Sequence, residues 1–280
     1  MIRFEKLPAS AGTREWNWSE EVILMPDWNP VQYEKYLKDR TRPAIDLANR
    51  LDVSSPGSIL DLGCGPGNST KVLKDRFPAA RIVGADNSAD MLAKARELYP
   101  DIAFISLDAN GDLHEAGEKF DIVFSNACIQ WLPNHRELLP KLMTLLNPGG
   151  ILAVQIPMQR AHPVHRIIHE LAGTAKWSDK LNPRQYNNLT AEEYFDVLSD
   201  LSGDFDIWET TYCHRMPGYE SIIEWYKGTG LRPYLEQLSE SDADGFISDI
   251  YAELKHRYRI QKNGEILFRF PRLFFTVRKN

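Results

Sequence analysis

The sequence predicts an α/β fold: a mostly parallel seven-stranded sheet, helices on both faces, and a helical lobe inserted near the C-terminus. Three observations carry it. The apolar run Ile59 to Leu62 stops at the glycine-rich turn Gly63-Cys64-Gly65-Pro66-Gly67 and leads into helical spacing over Thr70 to Phe77. Strand and helix signals then alternate as far as Ile156, the pattern of a parallel sheet with crossover helices. Beyond it, two long strand patterns enclose a helical stretch, Tyr219 to Tyr258, too long for a structureless loop.

Residues 1–26 have no clear periodicity and read as an N-terminal extension, so the domain is expected over residues 27–280 with its lobe near 217–264. Asn29-Pro30 pairs a capping residue with a first-turn proline and opens a helix over Val31 to Lys38. Arg42-Pro43 breaks it, and a second helix follows with an apolar stripe over Ala44 to Leu51. Ser54-Ser55-Pro56-Gly57 turns the chain into the first strand. The second strand runs from Ala80 to Asp86 and is followed by a helix over Ser88 to Arg96. Ile102 to Asp108 and Phe120 to Asn126 are the third and fourth strands. A helix from Leu138 to Leu146 closes at Asn147-Pro148-Gly149-Gly150, before the fifth strand, Ile151 to Ile156. His165 to Lys176 reads as helix, Thr190-Ala191-Glu192-Glu193 as a capping box, and Phe205 to Met216 and Ile266 to Arg278 as the two long strands.

Strand, glycine loop, helix is the layout in which backbone approaches a nucleotide-like ligand. Dinucleotide folds use G-x-G-x-x-G, whose third glycine packs the helix against a pyrophosphate. Here the loop carries Asp61 at the strand end and Pro66 inside the turn. An acid faces a phosphate badly and suits an ammonium group, which S-adenosylmethionine presents together with a sulfonium and no phosphate. Asp86, 25 positions on, and Asp108 also end strands. A carboxylate at the place of Asp86 can accept bonds from both ribose hydroxyls. One strand-end acid alone reads as a turn or helix cap; three in order, the first inside the loop, favour the ligand.

The loop resembles the first motif of class I S-adenosylmethionine-dependent methyltransferases. Trp28-Asn29-Pro30, Asn126 to Pro133, Leu231-Arg232-Pro233 and Phe270-Pro271-Arg272-Leu273-Phe274 narrow the resemblance to the trans-aconitate 2-methyltransferase family, from about Asp27 to the C-terminus. It implies a Rossmann-like domain and methyl transfer to a carboxylate of a small tricarboxylic acid, giving a monomethyl ester and S-adenosylhomocysteine. The implied cofactor shell is Asp61, Gly63, Cys64, Gly65, Pro66 and Gly67, then Asp86, Asn87, Ser88 and Met91, then Asp108 and Ala109, whose acid would bond the adenine amino group, and Asn126.

A carboxylate has an ordinary pKa of roughly 4, is ionised at pH 7, and needs no general base. No catalytic base is therefore expected, and positioning in a closed, dry site could supply up to about 7–11 kcal/mol. Polycarboxylate recognition calls for arginine, a planar donor that stays charged. Arg232 sits in a loop flanked by Gly230 and Pro233; Arg42 precedes Pro43, which favours extended backbone and can turn the side chain inward. Arg272, near the start of the last strand, reads instead as a surface ion pair. Gln130 and Trp131 follow the fourth strand, where ligands of open sheets bind. Trp28 and Tyr33, on a helix that closes over the cofactor in this superfamily, are balanced between ligand contact and packing. His135 can donate to a carboxylate, with a helix-cap or surface role favoured.

Composition agrees with a soluble, cytoplasmic enzyme. The chain has 280 residues, 43% hydrophobic and 26% charged, with a formal net charge of −6 that argues against nucleic acid. No window approaches the ~20 apolar residues of a membrane helix, and the first residues lack the apolar core of a signal peptide. Cys64, Cys128 and Cys213 form no metal pattern and read as packing thiols of a reducing compartment. A monomer acting on a small polycarboxylate is expected. Three other readings remain open at this stage: methylation of another acid such as a malonyl group on a carrier protein, a non-catalytic S-adenosylmethionine-binding protein, and a nicotinamide oxidoreductase.

Overall fold

The computed structural model describes residues 41–227 and 230–280. Trp28, Tyr33 and the helix expected over Val31 to Lys38 lie outside them.

Helix α1 covers residues 41–50. Then follow β1 (Ser58–Leu62), α2 (Asn68–Arg76), β2 (Arg81–Asp86), α3 (Ala89–Leu98), β3 (Ala103–Ser106), β4 (Phe120–Asn126), α4 (His135–Thr144), β5 (Leu146–Pro157), α5 (Pro163–Ala172), α6 (Ala191–Leu201), β6 (Phe205–Met216), α7 (Tyr219–Lys227), α8 (Arg232–Leu235), α9 (Glu240–Arg257) and β7 (Ile266–Arg278). The sheet order is β3-β2-β1-β4-β5-β7-β6. β1 to β5 pair in parallel, while β7 runs antiparallel to both β5 and β6. The mostly parallel seven-stranded sheet expected from the sequence is the one observed.

Local chemistry explains the element ends. Ser88 caps α3 by accepting from the Met91 amide, and Thr190 and Glu193 close the capping box at α6. β1 is buried along almost its whole length, as a central parallel strand must be when helices cover both faces. β5 starts earlier than the sequence suggests. Leu146 already pairs with Phe120, and a register shift before Ile122 absorbs the Pro148-Gly149 turn. Arg42 is a second difference, because it lies inside α1 rather than in extended backbone. The constraint on a residue before proline is a bias, and Pro43 is buried in the first turn described.

The reversed β7 organises the rest. Its register sets Arg272 opposite Pro157, at the carboxyl end of β5, and opposite Thr210 of β6. The amino-terminal part of β7 and the end of β6 therefore run past the sheet edge, where Met216, Ile266, Phe268 and Phe270 join the core of the lobe. That core also takes Val164, Ile167, Ile168 and Ala172 from α5 and Trp177 and Leu181 after it, packed with α7, α8 and α9. The lobe core thus draws on residues 163–181 in addition to the span 217–264.

The lobe buries two histidines in neutral form. His162 accepts from the Tyr226 hydroxyl at 2.9 Å on Nδ1 and donates from Nε2 to the Arg269 carbonyl at 3.0 Å. Burial pushes His162 and His165 from the ordinary 6.5 down to about 3. The stability they contribute is intact above the unfolded-state value and drains as the pH falls from 6.5 toward 3, by about 1.4 kcal/mol per pH unit for each group. Thermal unfolding followed by circular dichroism should give a midpoint that is level above pH 7 and drops steadily from pH 6.5 to 4. A level or rising midpoint across that window would contradict buried neutral imidazoles.

Candidate functional site

The glycine loop is held from below by the end of β2. The amides of Gly63 and Cys64 both donate to the Ala85 carbonyl, at 2.7 and 3.0 Å. The Gly65 amide donates to Asp86 Oδ2 at 2.8 Å, and the Ser88 amide to Oδ1 at 2.9 Å. Gly63 has φ +71°, and a β-carbon there would stand 2.1 Å from Cys128 Sγ, so only glycine fits. Gly65, at φ +54°, has open space where a side chain would be. The loop thereby presents bare backbone toward a cavity.

That cavity has a volume of about 260 Å³. At one end it is lined by Gly63, Cys64, Gly65, Pro66, Asn68 and Ser69; its flank is Thr41, Ala44, Asn126, Ala127, Gln130 and Trp131. At the other end stand Pro157, Gln159, His165, Trp225, Tyr226, Gly230, Phe270 and Arg272. The first end lies between strand ends of the sheet, and the last is roofed by the lobe.

Asp61 lies under the loop and is fully buried. Its Oδ2 accepts from Ser69 Oγ at 2.7 Å and Thr70 Oγ1 at 2.6 Å, while Oδ1 has no hydrogen-bond partner. Burial outweighs those hydroxyls and raises the carboxyl to about 6. A buried acid with an unmatched oxygen beside a glycine cradle fits the ammonium of S-adenosylmethionine, and the start of α2 beside it suits that ligand's carboxylate. Asp86 braces the loop with Oδ2, through the Gly65 amide, and holds the start of α3 with Oδ1, through the Ser88 amide. Asp108 is exposed, accepts from the Asn110 amide, and with Ala109, Asn87, Ser88 and Met91 lies along the ends of β2 and β3 outside the cavity lining. Burial pushes the Cys64 thiol up and Cys128 up to about 12, so neither is poised as a nucleophile.

Gln130 and Trp131 ride on a single 3-10 turn, Ile129–Trp131. Gln130 is buried, donates from Nε2 to the Ala127 carbonyl at 2.6 Å, and keeps Oε1 unmatched. Asn126 Oδ1 and Gln159 Oε1 are likewise unmatched. Ala127 holds φ at +54°, a strained value for a residue with a side chain, at a corner that lines the cavity. His135 does not face the cavity. It is buried behind it, accepts from the Tyr194 hydroxyl on Nδ1, and donates from Nε2 to the carbonyls of Ile129 and Leu132 at 2.8 and 3.0 Å. Its work is to fix the turn that carries Gln130 and Trp131.

The arginines fall out differently from the sequence reading. Arg232 opens α8, is exposed, and pairs with Glu236 at 2.7 Å, one turn along. Arg42 is exposed on α1, 4.0 Å from Asp46 and over the Tyr212 ring. Neither reaches the cavity. In both, an acid four residues on satisfies the charge at the surface. Among the described residues, Arg272, expected as a surface ion pair, is the arginine that lines the cavity. It is buried, lies over the Phe270 ring, and donates from Nη1 to Gln155 Oε1 at 3.0 Å.

The chain matches the methyltransferase-domain family over residues 59–150, from β1 into β5. Trans-aconitate 2-methyltransferase of Escherichia coli O157:H7 is 43% identical over 256 residues, covering 91% of this chain and 99% of the relative. The enzyme of the same name from Shigella dysenteriae serotype 1 matches with the same identity and coverage. The chain belongs to the trans-aconitate 2-methyltransferase family. Among solved structures, the YcgJ protein of Bacillus subtilis matches with a TM-score of 0.54 at 13% identity, over 85% of this chain and 99% of that one. Phosphoethanolamine N-methyltransferase 2 of Haemonchus contortus, solved with S-adenosyl-L-methionine, matches with a TM-score of 0.53 at 20% identity, over 85% of this chain and 53% of that one. At these identities the likeness is one of fold.

In this member of the trans-aconitate 2-methyltransferase family, the lobe end of the cavity is the part that sequence reasoning missed. Gln159, His165, Trp225, Tyr226 and Phe270 come from four separate elements or their connections, and no spacing links them. The one available signal was Arg272 in the strand run Phe270 to Phe274, a charge among residues with bulky apolar side chains.

The buried Asp61 yields a pH dependence. Alone, it favours the fold most below pH 4 and loses that contribution as the pH rises through 6, opposite in sign to the histidines. A ligand ammonium needs it ionised. Calorimetry with S-adenosylhomocysteine should therefore give steady affinity near pH 7 and about tenfold weaker binding per pH unit below 6. Asp61→Asn should bind more weakly at pH 7 and show no such slope.

Proposed function

We propose that this chain transfers a methyl group from S-adenosylmethionine to a carboxylate of trans-aconitate or a close small polycarboxylic acid, releasing a monomethyl ester and S-adenosylhomocysteine. The observation that carries this reading is the single cavity that joins the glycine loop to buried Arg272. At one end a buried acid, Asp61, lies behind the lining and bonds to Ser69 of it, and at the other a carboxylate-seeking guanidinium is part of the lining.

Asp61, Gly63, Gly65 and the start of α2 hold the amino-acid part of the cofactor. Asp86, with Asn87, Ser88 and Met91 after it, serves the ribose side, and Asp108 and Ala109 the adenine side. Asn126 and Gln130 offer unmatched oxygens along the flank between the two ends. When bound, the cofactor supplies an electrophilic methyl group, and a carboxylate already ionised near pH 7 accepts it without a general base. The chain's own task is to bind, align and dry the reactants. Trp131, Trp225, Tyr226 and Phe270 supply apolar walls, and His165 stays uncharged among them. Arg272 binds a carboxylate as a planar donor, with Gln155 fixing one edge of its fork.

The relatives named trans-aconitate 2-methyltransferase support the choice of acid. Among the described residues no helix is long and apolar enough to cross a membrane. The three cysteines are free thiols, which supports a cytoplasmic setting.

The direct test is methyl transfer from labelled S-adenosylmethionine to trans-aconitate, cis-aconitate, citrate and isocitrate, with malonyl-acyl carrier protein as the contrasting acceptor. Ester should form on trans-aconitate above all, and no tricarboxylate ester at all would remove this reading. Arg272→Gln should lower kcat/KM for trans-aconitate roughly 10- to 150-fold, the value of a charge-assisted hydrogen bond, while S-adenosylhomocysteine affinity stays within twofold.

A further inference from the structure

We propose that Arg184 is a second carboxylate-binding residue of the substrate pocket and sets the preference for tricarboxylates over dicarboxylates. This rests on the polycarboxylate reading above.

Arg184 lies in the connection between α5 and α6, which has no regular strand or helix near it and no legible pattern in the sequence. The connection is nevertheless pinned at several points. Trp177 Nε1 donates to Asp249 at 2.8 Å, the Asn182 amide to Gln237 Oε1 at 2.9 Å, and Asn188 Nδ2 to the Pro157 carbonyl at 2.7 Å. The Arg184 amide itself donates to the Tyr234 hydroxyl at 3.0 Å. The base of the side chain is therefore fixed from the lobe.

The guanidinium lies against a residue of the cavity lining, though Arg184 itself is outside that lining. Its central carbon stands 4.0 Å from the ring centroid of Trp131, which lines the cavity. Stacking a planar cation on an indole sets the plane of the fork and leaves its edge free to meet a carboxylate. Nη1 is buried and has no hydrogen-bond partner, and no acid among the described residues pairs with Arg184. Burial lowers the pKa of the side chain, and its charge helps to hold cavity-lining His165 neutral. A half-buried cation with an unmatched N–H beside a substrate pocket costs stability unless an anion arrives from outside. The neighbouring hydroxyls of Tyr186 and Tyr234 do not supply that anion, because burial raises both and keeps them protonated.

A tricarboxylate with one group presented for esterification has two more charges to place. Arg272 comes from the sheet and takes one. Arg184 comes from the lobe connection, over Trp131, and takes the other. A dicarboxylate that lacks the group read by Arg184 leaves that cation unmatched, and the enzyme discriminates against it for that reason.

The test compares trans-aconitate with mesaconate, itaconate and cis-glutaconate, each of which lacks a different carboxylate. The variants are Arg184→Met, which keeps the packing on Trp131, and Arg184→Lys, which keeps the charge without the fork and serves if the first does not fold. S-adenosylhomocysteine affinity by calorimetry reports an intact cofactor half. The expected result for Arg184→Met is a loss in kcat/KM on trans-aconitate of roughly 10- to 150-fold, carried mostly by KM, with less than a twofold change on one of the three dicarboxylates. Arg184→Lys should fall between wild type and Arg184→Met on trans-aconitate and spare that same dicarboxylate. Equal losses on all four acids, or no loss on trans-aconitate, overturn the proposal while leaving the methyltransferase reading in place. A wild-type enzyme that esterifies none of the four acids overturns both.

Discussion

The antiparallel insertion of β7 between β5 and β6 is the constraint on which the substrate half of this protein depends. A parallel sheet offers its ligand edge only at the strand carboxyl ends. By running the other way, β7 brings its own middle to that edge, and the register that sets Arg272 against Pro157 is what buries a guanidinium at the mouth of the sheet. The same reversal sends the start of β7 and the end of β6 past the edge, where their aromatic residues nucleate the lobe. A slip of one residue would turn Arg272 to the other face and point its apolar neighbours at the cavity. Lobe, pocket roof and cationic end are thus one consequence of one strand pairing.

The cofactor half obeys a different economy. The glycine loop is rigid because β2 supplies its acceptors: the Ala85 carbonyl and the Asp86 carboxylate. Rigid backbone without side chains allows close approach, and beneath it Asp61 is held at a cost. Raising a carboxyl from 3.8 to about 6 corresponds to roughly 3 kcal/mol against the ionised form in the free protein. That strain, the unmatched oxygens of Asn126, Gln130 and Gln159, and the left-handed Ala127 all gather around one cavity. Groups left unsatisfied in a folded core are expensive, so their concentration at one place marks where a ligand completes the structure.

Histidine shows how position overrules type. His135, His162 and His165 are all buried, and each has a different task. His135 fixes the turn of Gln130 and Trp131 through two carbonyls and a tyrosine. His162 ties α5 to β7 through the Arg269 carbonyl. His165 alone lines the cavity, and it does so uncharged. None is placed to act as a base, which accords with a reaction whose nucleophile arrives already ionised.

Local information was enough for the parallel alternation of strands and helices, the capping box at Thr190, the glycine loop and the position of the three acids near strand ends. Each of these depends on neighbours in the chain: φ freedom at Gly63, the hydroxyl cap at Thr190, apolar runs for buried strands. Gln130 and Trp131 were legible for the same reason, since they directly follow a strand end. Arg232 and Arg42 looked suitable by their flanking glycine and prolines, yet each found an acid four residues away and stayed at the surface. Arg272 and Arg184 were decided by tertiary structure alone. Which way a strand runs, and which ring an irregular connection lies against, depends on contacts between residues far apart in sequence. A guanidinium's role is set by the nearest available anion, and that is a property of the folded space around it.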